Sequence, residues 1–119
     1  MNAVVPAMKI RAIMAASPVM PVIVIERIED AVPLARALVN GGIRVLEVTL
    51  RTPVALEAVR AIRSELPEAI TGVGTIVTSA DVDAAIDAGA MFGVSPGSPD
   101  ALLTLIAKRG FPFLPGTMT

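Results

Sequence analysis

The stretch RVLEVTLRT, from Arg44 to Thr52, predicts a buried β-strand that carries charged residues within it. Successive side chains of a strand point to opposite faces. One face of this strand is wholly apolar and consists of Leu46, Val48 and Leu50. The other face carries the polar and charged side chains, in the set Val45, Glu47, Thr49 and Arg51. The apolar face should pack on helices, so we expect Glu47 and Arg51 to point inward, away from them.

Similar apolar runs recur on both sides of this stretch, about 20 to 26 residues apart, as expected for βα units. They are VMPVIVI (19–25), AITGVGTI (69–76), MFGVSPG (91–97) and FPFLPG (111–116). Helical patterns fill the intervals, and three capping signals mark their starts: Thr52 before Pro53, Thr78 with Asp81, and Ser98 before Pro99. A further helix is predicted over residues 1–17. The order of elements predicts an α/β fold with a parallel sheet.

Two architectures fit this order, a doubly wound sheet and part of a (β/α)₈ TIM barrel. The fingerprint G-x-G-x-x-G is missing after the first strand, which disfavours a doubly wound dinucleotide-binding sheet. A complete barrel needs at least about 200 residues, whereas this chain has 119. We therefore expect one domain over residues 1–119, the N-terminal half of a barrel. Residues 18–119 would provide four βα units and a fifth strand, with Val22, Val24, Val45 and Val73 as apolar inward residues.

Composition narrows the classes of function. Hydrophobic residues make up 54% of the chain and aromatic residues 3%, which suits buried parallel strands. The net charge is −1 with no basic block, and no apolar run is long enough to span a membrane, so neither nucleic acid nor membrane is an expected partner. The chain contains no Cys and no His, which disfavours thiolate chemistry and a metal site.

The carboxyl ends of the predicted strands carry the candidate functional residues, because ligands bind at that edge of a parallel sheet. Glu47 and Arg51 belong to the second strand, Thr75 ends the third and Pro96 ends the fourth. Structural alternatives remain at each position. Glu47 and Arg51 could pair with each other or with Arg44, Thr75 could be a strand-end hydrogen bonder, and Ser95-Pro96-Gly97 could be a simple turn. The glycines of TGVGT could serve only close packing.

The motifs MPVIVI, RVLEVTLRT, GVGTI, GVSPG and PGTMT, in this order, closely resemble those of the 2-keto-3-deoxy-6-phosphogluconate (KDPG) and 4-hydroxy-2-oxoglutarate (KHG) aldolases. The resemblance extends from about Lys9 to the last residue. It implies a trimeric, cytoplasmic class I aldolase of Entner–Doudoroff carbohydrate metabolism, with a TIM barrel, a Schiff-base mechanism and no metal or other cofactor. It also implies that Glu47 is the catalytic acid/base and that Arg51, Thr75 and Pro96 bind the pyruvate moiety of the 2-keto acid substrate.

One required group is missing from the chain. Its only lysines are Lys9, in the predicted N-terminal helix, and Lys108, late in the fourth barrel helix, and neither follows a strand. The Schiff-base lysine of the family would lie on a strand beyond Thr119. The chain alone is therefore expected to be inactive. Two classes of function stay open: an aldolase completed by a second half, and a non-catalytic half-barrel that persists by self-association. A metal-dependent lyase is a third, disfavoured by the lack of His.

Overall fold

A computed structural model describes residues 20–95 and 100–115 of the chain. The predicted helix over residues 1–17, Pro96 and the Ser98-Pro99 cap lie outside the described residues. The elements are β1 (Val22–Ile23), a 3₁₀ turn (Ile28–Asp30), α1 (Ala31–Asn40), β2 (Val45–Thr49), α2 (Ala55–Glu65), β3 (Ile70–Gly74), α3 (Ser79–Asp87), β4 (Gly93–Ser95), α4 (Asp100–Arg109) and β5 (Phe113–Pro115). All five predicted strands are present, each within its predicted run.

The five strands form one parallel sheet whose spatial order follows the chain, β1-β2-β3-β4-β5. The longest pairing joins β2 and β3, with Val45 opposite Ile70 and Thr49 opposite Gly74. A helix follows each of the first four strands, so every crossover connects neighbouring parallel strands. The predicted α/β fold is therefore confirmed.

All four described helices pack on the same side of the sheet. Buried residues of α1 to α4 share one core with alternate residues of the strands, among them Leu46, Val48 and Val73. We call this side the helix face. A doubly wound sheet carries helices on both sides and reverses its strand order, so that alternative is wrong. Sequential strands with helices on one side are the arrangement of consecutive units of a (β/α)₈ barrel.

The opposite side, here called the open face, carries a separate apolar cluster that includes no helix residue. Its buried members are Val45, Ile70, Met91 and Phe92. The expectation that Val73 lies inward is wrong. Val73 pairs with Val48, and both side chains belong to the helix-face core, since Ile70, Gly72 and Gly74 occupy the alternate positions of β3.

Two of the predicted helix caps can be compared with the structure. The hydroxyl of Thr78 accepts from the backbone N–H of Asp81, and the Asp81 carboxylate accepts from the N–H of Thr78, so the predicted capping box is confirmed. The predicted cap at Thr52 is wrong. Helix α2 begins at Ala55, and the Thr52 hydroxyl donates to the carbonyl of Ile25, which ties the loop after β2 to the end of β1.

No helix in residues 20–95 and 100–115 is long and apolar enough to cross a bilayer.

Candidate functional site

Glu47 lies in the middle of β2 on the open face and is only 6% exposed. Its register partners are Val22 on β1 and Gly72 on β3, so the carboxylate projects from a position flanked on both sides by strands. It forms no ion pair or side-chain hydrogen bond with another described residue, including Arg44 and Arg51. The structural alternative, a pairing with one of these arginines, is absent from the described part of the chain.

Burial raises the pKa of the Glu47 carboxyl above that of an exposed glutamate. The physical cause is desolvation, which disfavours the charged form of an acid. The apolar surroundings account for it: Val45 precedes Glu47 on the same face, and the Phe92 ring lies against Gly72, its register partner. A raised pKa increases the fraction of a carboxyl that is protonated at a given pH, which favours a role as both proton donor and proton acceptor.

This raised pKa has a measurable effect on stability. The folded chain holds the Glu47 proton more tightly than the unfolded chain, so the resulting stabilisation is complete below the ordinary glutamate pKa of about 4.3. It is lost as pH rises through the higher folded-state pKa. Glutamine does not titrate. We therefore expect the melting temperature of Glu47→Gln, relative to the parent, to increase as pH is raised from below about 4 to neutrality.

Circular dichroism melts at a series of pH values would measure this difference. Glu65→Gln is the matched control, because Glu65 is exposed at the end of α2. A difference between Glu47→Gln and the parent that stays constant across the pH range would contradict the raised pKa.

Thr75 directly follows β3 and has a backbone φ of 65°, the one positive φ of a non-glycine residue in the described chain. A β-branched residue adopts this conformation at a cost of roughly 1–3 kcal/mol. Hydrogen bonds hold both neighbours in place: Leu50 N–H donates to the Gly74 carbonyl, and Ile76 N–H donates to the Val94 carbonyl. Strain held in this way is typical of functional sites.

Of the other predicted site residues, only Arg51 lies in the described part of the chain near the same edge of the sheet. Arg51 is two residues past the end of β2, in a turn, and its side chain is exposed. It makes no hydrogen bond or ion pair with another residue of the described ranges. Pro96 follows Ser95, the last residue of β4, but lies outside the described residues. Lys108 is exposed on α4 and does not lie at a strand end.

Two further features of the described chain bear on the location and type of the site: its acidic side chains and its cavity. Among residues 20–95 and 100–115, no three Asp, Glu, His or Cys side chains gather as a metal site would require. A cavity of about 190 Å³ lies near the starts of α3 and α4, lined by Val77, Thr78, Ser79, Ala101 and Leu102. It contains none of the predicted site residues, so the open face around Glu47 is the better candidate.

Gly74 lies against the side chain of Glu47, a contact that the sequence alone does not predict. A Cβ atom at this position would lie 2.7 Å from Cδ and 3.0 Å from Cγ of Glu47, so the glutamate side chain lies directly over the glycine. The signal in the sequence is the alternation of Gly72 and Gly74 on the face of β3 that adjoins Glu47. The sequence alone predicts no more from it than close packing.

A family model described as KDPG and KHG aldolase matches residues 10–119. The chain belongs to this aldolase family. Curated relatives include the KHG/KDPG aldolase of Escherichia coli K12, 49% identical over 107 residues, which are 90% of this chain and 50% of the relative. The 2-dehydro-3-deoxy-phosphogluconate aldolase of Dickeya dadantii is also 49% identical over 107 residues, with the same two coverages.

Solved structures of the aldolase family agree with the fold. The Zymomonas mobilis ZM4 enzyme, solved with 3-phosphoglycerate, matches with a TM-score of 0.88 and 48% identity, over 92% of this chain and 52% of that one. The Legionella pneumophila KDPG aldolase, with pyruvate captured at low pH as a covalent carbinolamine intermediate, gives a TM-score of 0.91 and 46% identity, over 95% and 55%. The chain spans about half the length of the relatives that it matches.

Proposed function

We propose that this chain supplies the N-terminal half of a Schiff-base aldolase that cleaves a 2-keto acid, KDPG or KHG, into pyruvate and an aldehyde. The five strands would be the first five of a closed (β/α)₈ barrel. In this half, Glu47 is the acid/base, and Arg51, Thr75 and Pro96 bind the pyruvate moiety. The amine nucleophile comes from the second half of the barrel.

The observation that carries the proposal is the state of Glu47. Its carboxyl is buried on the open face, has a raised pKa and has no cationic partner among the described residues. A structural carboxylate in such a place would normally be paired, because an unpaired buried charge is costly. A carboxyl that transfers protons should instead have no such partner, because its protonated and ionised forms must be close in free energy.

The chemistry of an amine-dependent aldolase explains why one carboxyl can serve several steps. The amine adds to the keto carbon and gives a carbinolamine, which loses water to form an imine. The carbon–carbon bond then breaks: the substrate hydroxyl loses its proton and becomes the aldehyde, and the electron pair of the broken bond forms an enamine. A proton must reach the enamine carbon, and water then hydrolyses the imine to release pyruvate and the free amine. Glu47 can donate a proton to the departing hydroxyl and then exchange protons with the oxygen and carbon centres that follow. The carbinolamine captured in the Legionella relative is the first of these intermediates.

The remaining residues suit the carboxylate of the keto acid. The Arg51 guanidinium is exposed and forms no hydrogen bond or ion pair with another described residue. A guanidinium can bind both oxygens of a carboxylate. Thr75 is held in a strained conformation and directly follows Gly74, the residue over which the glutamate side chain lies. Strain of this kind is consistent with a backbone shaped for a ligand.

A chimera tests this proposal. All 119 residues of the chain would be joined to the second half of the E. coli KHG/KDPG aldolase, which this chain does not cover. We expect the chimera to release pyruvate from KDPG or KHG. With pyruvate, it should form an imine that borohydride reduces to a stable covalent adduct. The 119-residue chain alone should do neither, because no other residue type present replaces an amine nucleophile.

Either of two results would contradict the proposal. Pyruvate release by the purified chain above a buffer blank would show that the nucleophile lies within these 119 residues. A folded chimera that forms the borohydride adduct but releases pyruvate from neither KDPG nor KHG would show that the site residues of this chain do not support the reaction. That result would favour the non-catalytic half-barrel.

A further inference from the structure

We propose that Gly74 is a positioning residue for the acid/base: because it has no side chain, the Glu47 carboxyl lies across β3 instead of projecting away from the sheet. This inference rests on the proposed function of Glu47. Gly74 is buried and takes no part in proton transfer itself, so its role would be separate from that of Glu47.

The three atoms nearest to a Cβ at Gly74 all belong to the side chain of Glu47: Oε2, Cδ and Cγ. Under about 3.0 Å, a real Cβ atom is not tolerated without movement, and Cδ would be 2.7 Å away. Every amino acid other than glycine would therefore compete with the carboxyl for the same space.

Backbone conformation does not explain this glycine. The positive φ values of described glycines belong to Gly42, Gly89 and Gly110, each at the end of a helix. Gly74 is the last residue of β3, opposite Thr49, and its φ lies outside the left-handed region that favours glycine. A glycine within a strand is normally unfavourable relative to alanine, by roughly 0.5–1 kcal/mol. Space for a neighbouring group is the remaining physical reason for it.

The backbone of β3 cannot easily move aside. The Gly74 carbonyl accepts from Leu50 N–H at 3.0 Å, and the next strand holds Ile76 N–H through the Val94 carbonyl at 3.1 Å. The far end of the glutamate is the flexible partner. In Gly74→Ala, the carboxyl should therefore swing away from the sheet toward solvent, while the fold is retained.

The first test measures the Glu47 carboxyl directly and needs no enzyme activity. A ¹³C NMR titration of carboxyl resonances would follow Glu47, with its signal identified by its loss in Glu47→Gln. In Gly74→Ala, we expect the pKa of Glu47 to fall toward that of an exposed glutamate, because the carboxyl regains solvent. Gly41→Ala is the control, since a Cβ there makes only ordinary contacts at 3.5 Å from the carbonyls of α1. An unchanged or higher Glu47 pKa in Gly74→Ala would overturn the proposal.

A stability cycle covers the case in which Gly74→Ala folds poorly. The cost of Gly74→Ala should largely disappear in a Glu47→Ala background, because the obstructing side chain is gone. The same cost in both backgrounds would mean that Gly74 serves packing unrelated to Glu47. Gly72→Ala should show no such rescue, because a Cβ at Gly72 would meet the Phe92 ring.

Turnover by the chimera then tests whether the position of the Glu47 carboxyl matters for catalysis. Gly74→Ala should lower kcat by on the order of 10² through misplacement of the acid/base, with KM for KDPG changed much less. A lowered Glu47 pKa without any effect on kcat would leave the positioning role intact but contradict the proposed function of Glu47. The two proposals can therefore fail separately.

Discussion

The chimeric barrel should lose about 100-fold or more of its turnover of KDPG when Glu47 is replaced by glutamine. Glutamine keeps the size of the side chain but cannot donate and recover a proton. The substitution also removes the cost of burying a carboxylate, so the variant should fold at least as well as the parent at neutral pH. Loss of turnover would then reflect loss of proton transfer and not loss of structure.

Steady-state assays of pyruvate release would measure the effect, and borohydride trapping would separate its steps. The adduct with pyruvate should still form in Glu47→Gln, although more slowly, because the amine is supplied by the other half of the barrel. Glu65→Gln is the control for charge and size, since Glu65 is exposed and is the last residue of α2, at the helix end opposite to the one that follows β2. Turnover in Glu47→Gln equal to that of the parent would assign the glutamate a structural role only.

Local signals in the sequence were sufficient to predict most of the fold. The alternation in RVLEVTLRT placed Leu46 and Val48 on the helix face and Val45 and Glu47 on the open face, because period-2 patterning is a property of one strand alone. The capping box at Thr78 was equally local. The cap at Thr52 failed because its hydroxyl found a partner in the distant Ile25 carbonyl, and a single-segment pattern cannot include such a contact.

The site depends more on relations between strands. Extending the alternation of β2 predicts that Arg51 points inward. The strand ends at Thr49, however, so alternation does not set the direction of residue 51. Thr75 has a conformation that its own branched side chain disfavours, which no propensity predicts. The fit of Glu47 over Gly74 follows from the register of β2 against β3, and register is not visible in one sequence.

The 119-residue chain purified on its own should self-associate, and this is the second large effect. In the described part of the chain, β1 and β5 are the edges of the sheet, each with one neighbouring strand. Unpaired edges recruit further strands. Beside the β1 edge, Val22 and Val24 are 61% and 43% exposed, and they face away from the helix-face core that buries Ile23 and Ile25. In a sample of the purified chain, a second copy of the chain is the partner that can pair with this apolar edge.

The magnitudes favour association. Covering several hundred Å² of the open face offers on the order of 10 kcal/mol at about 25 cal/mol per Å². The loss of translational and rotational freedom on association costs ~4–15 kcal/mol, which is similar to the free energy gained from burial. Hydrogen bonds between strand edges add to the gain and favour the oligomer. Sedimentation velocity at low micromolar concentration should therefore show dimers or larger species, with a two-chain closed barrel as the ordered form.

Charge placed on the edge provides the specific test. Val22→Lys should shift the sedimentation profile toward monomer, because a lysine on an edge strand opposes strand addition. Val77→Lys is the matched control: Val77 is also an exposed valine, at 53%, but it lies in the loop after β3. If Val77→Lys has the same effect, general surface hydrophobicity and not the open face drives association. A sharp monomer peak for the parent chain, with cooperative unfolding, would mean that five strands suffice for a closed domain and that the half-barrel interpretation is wrong.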